Sequence, residues 1–383
     1  MSYSLTTLWY DRQRFLPGVL AVSFSAVLIA LQCGLLLGLF SVTSIPIDHT
    51  RAHIWLCPPS VLSVDVARPI PEWYLSRLAS QPEVDQCEIY IQAFGQWVKP
   101  TGGAELCIVI GSRLEDNALG AVEELTPALR TALTEPGAVV IDDSELDRLS
   151  ISGIGATGEI NGHRVRVVGM VHGLKSIAGP YIFCSIETAR AVLMSRMSPE
   201  NYKATYILAR CKNPADAPAV VARLRNQDIE AHRDRPTMAV FTASEFSLRS
   251  RLHWLFKTKA GIALGYAALL GLLVGAVVTS QTLYAATAAA VREYAVLQAL
   301  GIPRWRMAMA VMSQSFWVGI SGVIIAFPTV FCLAWVADLM GAKVLLPPEL
   351  LAGSGAVTLV MAVLSGLAAM RSLRMVEPAI LLR

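Results

Sequence analysis

VREYAVLQALGIPRWR, residues 291–306, sets an Arg-Glu pair, a glycine, a proline and two more arginines between two long apolar stretches. Residues 260–291 before it and 307–337 after its last arginine contain no Asp, Glu, Lys, Arg or His, and the same holds for 16–47 and 350–370. Each run reaches the roughly 20 residues that a helix needs to cross a hydrocarbon core of about 30 Å. A chain that is 54% hydrophobic and only 16% charged is too apolar for two or three ordinary soluble domains, so the membrane decides the fold class. The first run also follows Arg12 and Arg14 as a signal peptide would. Its apolar part is about twice a usual h-region and ends without a clear small-x-small site, so it reads as a retained anchor.

The quoted stretch is then a loop between spans two and three. Span two continues as helix past Val291, carries Arg292 and Glu293 at its wet end, and stops where Gly301 supplies a left-handed cap and Pro303 bars continuation. Arg304, Trp305 and Arg306 anchor the start of span three in the interface, as Trp9 does before span one. Tyr294, Leu297 and Leu300 form an apolar edge that nothing else in the chain is placed to cover. This points to a docking elbow for a cytoplasmic partner, with a plain hairpin loop as the alternative.

Charge sets the orientation. With both termini inside, the segments 1–15, 292–306 and 371–383 hold eight basic residues against three acidic ones, which fits the positive-inside rule. Arg249, Arg251, Lys257 and Lys259, just before span two, pull the other way. The expected layout is an interfacial amphipathic helix at 1–15, spans at 16–45, 260–291, 307–337 and 350–370, an extracytoplasmic α/β domain at 46–259, a coupling elbow at 292–306, a short loop at 338–349 and a tail at 371–383. Within the domain, strand, helix and strand patterns at 60–111 and 200–235 suggest one split α/β subdomain. VLSVDVA (61–67) and IEAHR (229–233) read as strands of it, and 112–199 reads as an inserted, more β-rich unit with a hairpin at Asn161-Gly162.

Chemistry-bearing motifs are scarce. GIGATG (153–158) matches a dinucleotide fingerprint letter for letter, but a strand-turn-strand pattern follows instead of a helix, so it reads as a turn. No G-x-x-x-x-G-K-[ST] occurs, the six histidines show no ligand spacing, and five cysteines in the domain lack any CxxC pair; neither a metal nor a cofactor site is expected. The spans carry none of the ionisable groups by which ion-coupled carriers relay their ion. They do carry small residues at packing intervals, Gly34 and Gly38 in the first, Gly261, Gly265, Gly271 and Gly275 in the second. These form either an internal helix seam or a homodimer seam, with Gly261 and Gly265 favoured for the dimer.

TLYAATAAAVREYAVLQALGIPRWRM (282–307) resembles the segment after the second helix of FtsX/MacB-type ABC transporter permeases, especially the DevC-like exporters. RSLRMVEPAILLR (371–383), with Arg371, Arg374 and Pro378, resembles their tail, and FSVTSIPIDHTRAHIWLCPPSVLSVDVARPIPE (40–72) resembles the DevC-type exit from the first helix. The resemblance implies a four-span permease with a two-part MacB-like periplasmic domain in a bacterial inner membrane. It implies a homodimer bound to a separate cytoplasmic P-loop ATPase that holds the ATP and magnesium. Arg292, Glu293, Leu297 and Gly301 would lie in the coupling region, and a membrane-fusion adaptor and outer-membrane channel would meet the periplasmic domain. Lipid is the remaining partner and nucleic acid is not expected. Within the family, lipid or lipoprotein extraction and control of cell-wall hydrolases are alternatives. From another class, a membrane-anchored ligand sensor is disfavoured by three closing spans with no signalling domain inside.

Overall fold

The computed structural model describes residues 12–66, 68–176, 178–194, 202–231, 236–289, 296, 303–340 and 342–373. The chain folds as two compact units, residues 40–258 as one and Met1–Leu39 with Lys259–Arg383 as the other.

Helix α1 (Arg12–Thr43) opens the described chain, and after Ser44 the one-turn helix α2 (Ile45–Asp48) begins with Pro46 in its first turn. Strands β1 (Ile54–Cys57), β2 (Ile70–Pro71) and β3 (Val84–Val98) follow, with helix α3 (Tyr74–Ala79) before β3. β3 pairs with β4 (Ala104–Ser112) across a turn in which Gly102 and Gly103 take positive φ. Next come α4 (Pro127–Ala132), β5 (Ala138–Asp142), the short α5 (Leu146–Leu149), β6 (Thr157–Ile160), β7 (His163–Val171), β8 (Tyr181–Ser185) and α6 (Ile186–Met194). The α/β unit ends with β9 (Lys203–Ala204), β10 (Tyr206–Cys211), α7 (Ala217–Ala231), β11 (Ala239–Thr242) and α8 (Ala243–Lys257). Thr242 closes β11 and caps α8, taking part in a capping box with Glu245, so strand passes into helix without a linker.

The sheet runs β11-β1-β10-β3-β4-β8-β5-β7-β6, and β6 pairs back onto β3 at Trp97 and Val98. Strands β3, β4, β8, β5, β7 and β6 therefore close into a ring, which removes the open edges a flat sheet would leave. Its interior holds Ile91, Trp97, Val109, Ile141, Val167 and Ile182. β5 and β8 are buried along their whole length, as strands facing packed side chains on both sides require. β7 alternates instead, and Asn161 and Gly162 both adopt positive φ in the two-residue turn that joins it to β6.

Beside the ring, β11, β1, β10 and the first half of β3 form an antiparallel sheet. Ile54, Leu56, Ile207, Val220 and Leu224 pack on one face, under α3 and α7, while Trp55, Tyr90, Tyr206 and Phe246 fill the other, under α8.

Three expectations need correction. VLSVDVA (61–67) is not a strand: its described residues form a loop with one isolated bridge, Ser63 to Val66, because Val64 gives its backbone N–H to Ser250 and its carbonyl to the Tyr206 hydroxyl instead of to a ladder. IEAHR is not a strand up to Ala231, since α7 runs through it, and the strand that pairs with β1 comes later, as β11. The boundary expected near residue 112 does not separate β4 from the inserted unit. β3 pairs with β10 up to Tyr90 and with β4 from Ile91 onward, so β4 is a ring strand.

The other unit holds α1 as far as Leu39 and three long helices, α9 (Lys259–Ala289), α10 (Arg304–Leu339) and α11 (Pro348–Leu373). Four helices are long and apolar enough to cross a membrane, over Phe15–Thr43, Lys259–Thr282, Met309–Leu339 and Pro348–Leu367. α11 packs against both α9 and α10.

The turn reading of GIGATG holds in the structure, where Gly153 and Gly155 take positive φ and the last glycine, Gly158, lies in β6. A Cβ on Gly158 would stand 2.2 Å from the indole of the fully buried Trp97. Gly158→Val should therefore cost about 1–3 kcal/mol through overpacking of the ring interior. Thermal unfolding of the purified protein, followed by near-UV circular dichroism, measures this.

Candidate functional site

Of the elbow, Arg292, Glu293, Tyr294, Leu297, Leu300 and Gly301 lie outside the described residues, as do Trp9, Arg374 and Pro378. Val296 is helical and exposed. Pro303 is described, and its extended backbone (φ −67°, ψ 142°) starts α10, with Arg306 N–H returning to its carbonyl at 3.0 Å. Trp305 is 60% exposed in the first turn, and the Arg306 guanidinium lies over its ring at 5.4 Å. An exposed indole covered by an arginine suits a membrane-water interface, where the apolar ring and the charged tip prefer different phases. Arg304 and Arg371 are placed by their backbones in the first turn of α10 and the last turn of α11.

The glycines divide into two groups. Gly271 and Gly275 of α9 face α1: a Cβ on Gly271 would meet the Gln32 side chain at 1.9 Å, and one on Gly275 would meet Ser25 at 3.1 Å. At that closeness the buried Ser25 hydroxyl stands 3.1 Å from the Gly275 carbonyl and 3.0 Å from the Thr279 hydroxyl. Ser280 of α9 similarly meets Ser365 of α11 at 2.9 Å. In lipid, where apolar surface gains nothing by leaving its solvent, close backbone approach and hydroxyl contacts of this kind hold helices together.

Gly34 and Gly38 serve another purpose. They receive the extended segment 342–347 between α10 and α11 in place of a helix: Leu345 N–H donates to the Gly34 carbonyl at 3.1 Å, and a Cβ on Gly38 would lie 1.9 Å from the Lys343 carbonyl. Gly261 is buried and Gly265 partly buried in the first turns of α9.

A cleft of about 1170 Å³ opens in the α/β unit between α4, α6 and the loop after β4. Two of its three lining arginines, Arg130 and Arg190, hold the protein itself. Arg130 is 6% exposed and donates to the carbonyls of Leu125, Glu115 and Asp116, while Arg190 pairs with Glu72 at 2.6 Å and covers Tyr202. The buried Glu88 ties the same loop to β3, accepting from the N–H groups of Leu119 and Gly120 at 3.0 and 3.4 Å, and burial raises its carboxyl above the usual range. Among the described residues no group of three or more His, Cys, Asp or Glu is placed to hold a metal. Cys57, Cys87, Cys107, Cys184 and Cys211 are all unpaired, and burial pushes the Cys107 thiol up to about 12.

Two of the four basic residues leading into α9 have structural employment that their positions in the sequence did not reveal. Arg251 donates to Ser44 at 2.9 Å and to Asp48 at 2.6 Å, and Arg249 donates to the Val61 carbonyl at 2.8 Å and covers Phe241. Lys257 and Lys259 are exposed.

Residues 265–378 match the FtsX-like permease C-terminal family, a span that covers most of α9, the elbow, α10 and α11. No curated protein sequence matches the chain. Among solved structures, the chain is similar to the periplasmic region of MacB from Actinobacillus actinomycetemcomitans, with 11% identity and a TM-score of 0.34 over 53% of this chain and 94% of that one. It is likewise similar to the extracellular domain of the noncanonic ABC-type transporter YknZ from Gram-positive bacteria, with 11% identity and a TM-score of 0.32 over 50% of this chain and 98% of that one.

The contact at Gly38 can be tested against an internal control. Gly38→Ala forces the 342–347 segment off α1 and should lower stability by about 1–3 kcal/mol. Gly353→Ala on α11, where a Cβ would meet nothing within 4 Å, should be neutral or slightly stabilising, because alanine is the better helix former. Parallel thermal denaturation in detergent micelles distinguishes the two.

Proposed function

We propose that the chain is the membrane subunit of an ABC-type export system in a bacterial inner membrane, acting as a homodimer with both termini cytoplasmic. A separate cytoplasmic ATPase docks on the elbow at 292–306 and binds the ATP and magnesium. Its cycle moves the helices, and the helices move the α/β domain, which works on a periplasmic adaptor and an outer-membrane channel. The observation that carries this reading is the family match over 265–378, because it takes in the elbow together with the helices on either side.

Two features support it. The four apolar runs contain no ionisable side chain on which an ion gradient could act, so the energy for transport has to come from outside the spans. In addition, β11 passes into α8 through a capping box, and α8 is separated from α9 by Thr258 alone, so displacement of α9 along its axis reaches the domain through a short covalent path.

The coupling role is tested by substitution at the elbow. Leu297→Asp puts a charge on the apolar edge, and Gly301→Val puts a β-branched residue where a left-handed cap is expected. Each should abolish the stimulation of ATP hydrolysis by the co-expressed ATPase while the protein still inserts in the membrane. Full stimulation in both variants would remove the elbow from the mechanism. Affinity purification from gently solubilised native membranes addresses the partners, and recovery of an ATPase without an adaptor would favour the lipid-extracting or hydrolase-regulating alternative.

A further inference from the structure

The loop between β1 and β2 carries a carboxylate into the interior of the α/β unit. Asp65 is 8% exposed, and its Oδ1 accepts from Gln92 Nε2 at 3.1 Å and from the Tyr181 hydroxyl at 3.4 Å. Among the described residues no cation acts on it. The surroundings are polar and incompletely matched: Tyr90 OH, Gln92 Oε1 and the Trp254 indole N–H are buried without a hydrogen-bond partner of ordinary geometry, although Trp254 faces the carboxyl. Native interiors leave few such groups unmatched, and a cluster of them around one acid marks a place where the protonation state matters.

The same loop is clamped between sheet and helix. Tyr206 of β10 donates to the Val64 carbonyl at 2.6 Å, and from α8 Ser250 accepts from Val64 N–H at 3.1 Å while Arg249 holds the Val61 carbonyl. Whatever unsettles Asp65 therefore unsettles the seat of α8. We propose that Asp65 is a proton-operated latch on α8: as a neutral carboxyl it seats the 58–66 loop between the sheet and the helix, and as a carboxylate it loosens that seat.

The physical basis is the imbalance around the acid. A neutral carboxyl can give its one proton to an unmatched acceptor, Gln92 Oε1 or Tyr90 OH, whereas the anion must be buried without a counter-charge. Burial pushes Asp65 up to about 7, against the opposing hydrogen bonds from Trp254, Tyr181 and Gln92. The folded value is raised, so the stability it contributes is fully present below the ordinary carboxylate range and is lost as pH rises through about 7. The other titratable groups facing the site are Tyr90 of β3, Tyr181 of β8, Tyr206 of β10 and Cys57 of β1, all raised by burial and neutral across this range. On α8 the charged groups are Glu245, paired with Arg225 at 2.8 Å, Arg249 and Arg251, both engaged as described, and Lys257; the His253 pKa is lowered by burial.

Amide hydrogen exchange of the α8 peptide, 243–257, in the full-length protein in nanodiscs tests the latch. After correction for intrinsic rates, protection should fall roughly tenfold between pH 5.5 and 8.5. Asp65→Asn should hold the acid-side protection across the range. Tyr181→Phe, which removes a donor to the carboxylate, should move the midpoint to higher pH, and it serves if the Asn variant fails to fold. A flat wild-type profile, an unchanged profile in Asp65→Asn, or an unmoved midpoint in Tyr181→Phe would overturn the proposal. The measurement needs no ATPase, so its outcome is independent of the coupling reading above.

Discussion

Close backbone approach between helices, as where α9 meets α1 at Gly271 and Gly275, is the constraint on which the helical unit depends. A helix pair in lipid has no water to expel, so it must gain its association from dispersion and from polar groups that find one another. Gly271 and Gly275 remove the side chains that would hold the backbones apart, and Ser25 and Thr279 occupy the space with hydroxyls that satisfy each other. The same economy recurs where Gly366 lies against Ser315 and Gly322 lies against Val22. Each helix is thus seated by small residues of its own or of its neighbour, while large apolar side chains such as Tyr266, Leu270, Leu273 and Val277 of α9 are left at the surface. That distribution inverts the order of a water-soluble bundle, whose large side chains point inward.

In the α/β unit the organising element is β3. Its fifteen residues are long enough to serve two sheets, pairing with β10 through Tyr90 and with β4 beyond it. The ring and the antiparallel sheet are therefore joined through a continuous strand, with no flexible linker at that crossing. Glu88 adds a second tie at the changeover, since its carboxylate holds the loop after β4 against the strand. Arg251 performs a comparable service at the other end, bridging α8 to Ser44 and Asp48.

The sequence was most readable where one physical signal dominated. Long uncharged runs gave the four helices, because no other structure satisfies a backbone in hydrocarbon. Asn161-Gly162 gave its hairpin, because few other pairs accept positive φ twice. It was least readable where long-range pairing overrode local pattern. VLSVDVA alternates as a strand should, yet its peptide groups are claimed by Tyr206 and Ser250, some 140 and 190 residues away, which no local window can contain. The capped helix α8 was not anticipated for a different reason: its stripe of Leu248, Leu252 and Phe256 is interleaved with four charged residues, which obscures the apolar period. At the candidate site, glycine spacing pointed to close approach without saying what approaches: Gly271 and Gly275 meet α1, whereas Gly34 and Gly38 receive an extended segment.

That extended segment also measures the bilayer. From Phe15 to Gly34, α1 rises about 28 Å at the usual pitch, close to the full thickness of a hydrocarbon core. Extended backbone exposes amides that lipid cannot solvate, so it can lie against α1 only where water or protein takes over. With hydrocarbon starting at Phe15, Leu345 N–H meeting the Gly34 carbonyl would fall at the level where the membrane ends. The pair of glycines works as a depth mark, fixing how far α1 can slide along the membrane normal without drawing peptide groups into oil.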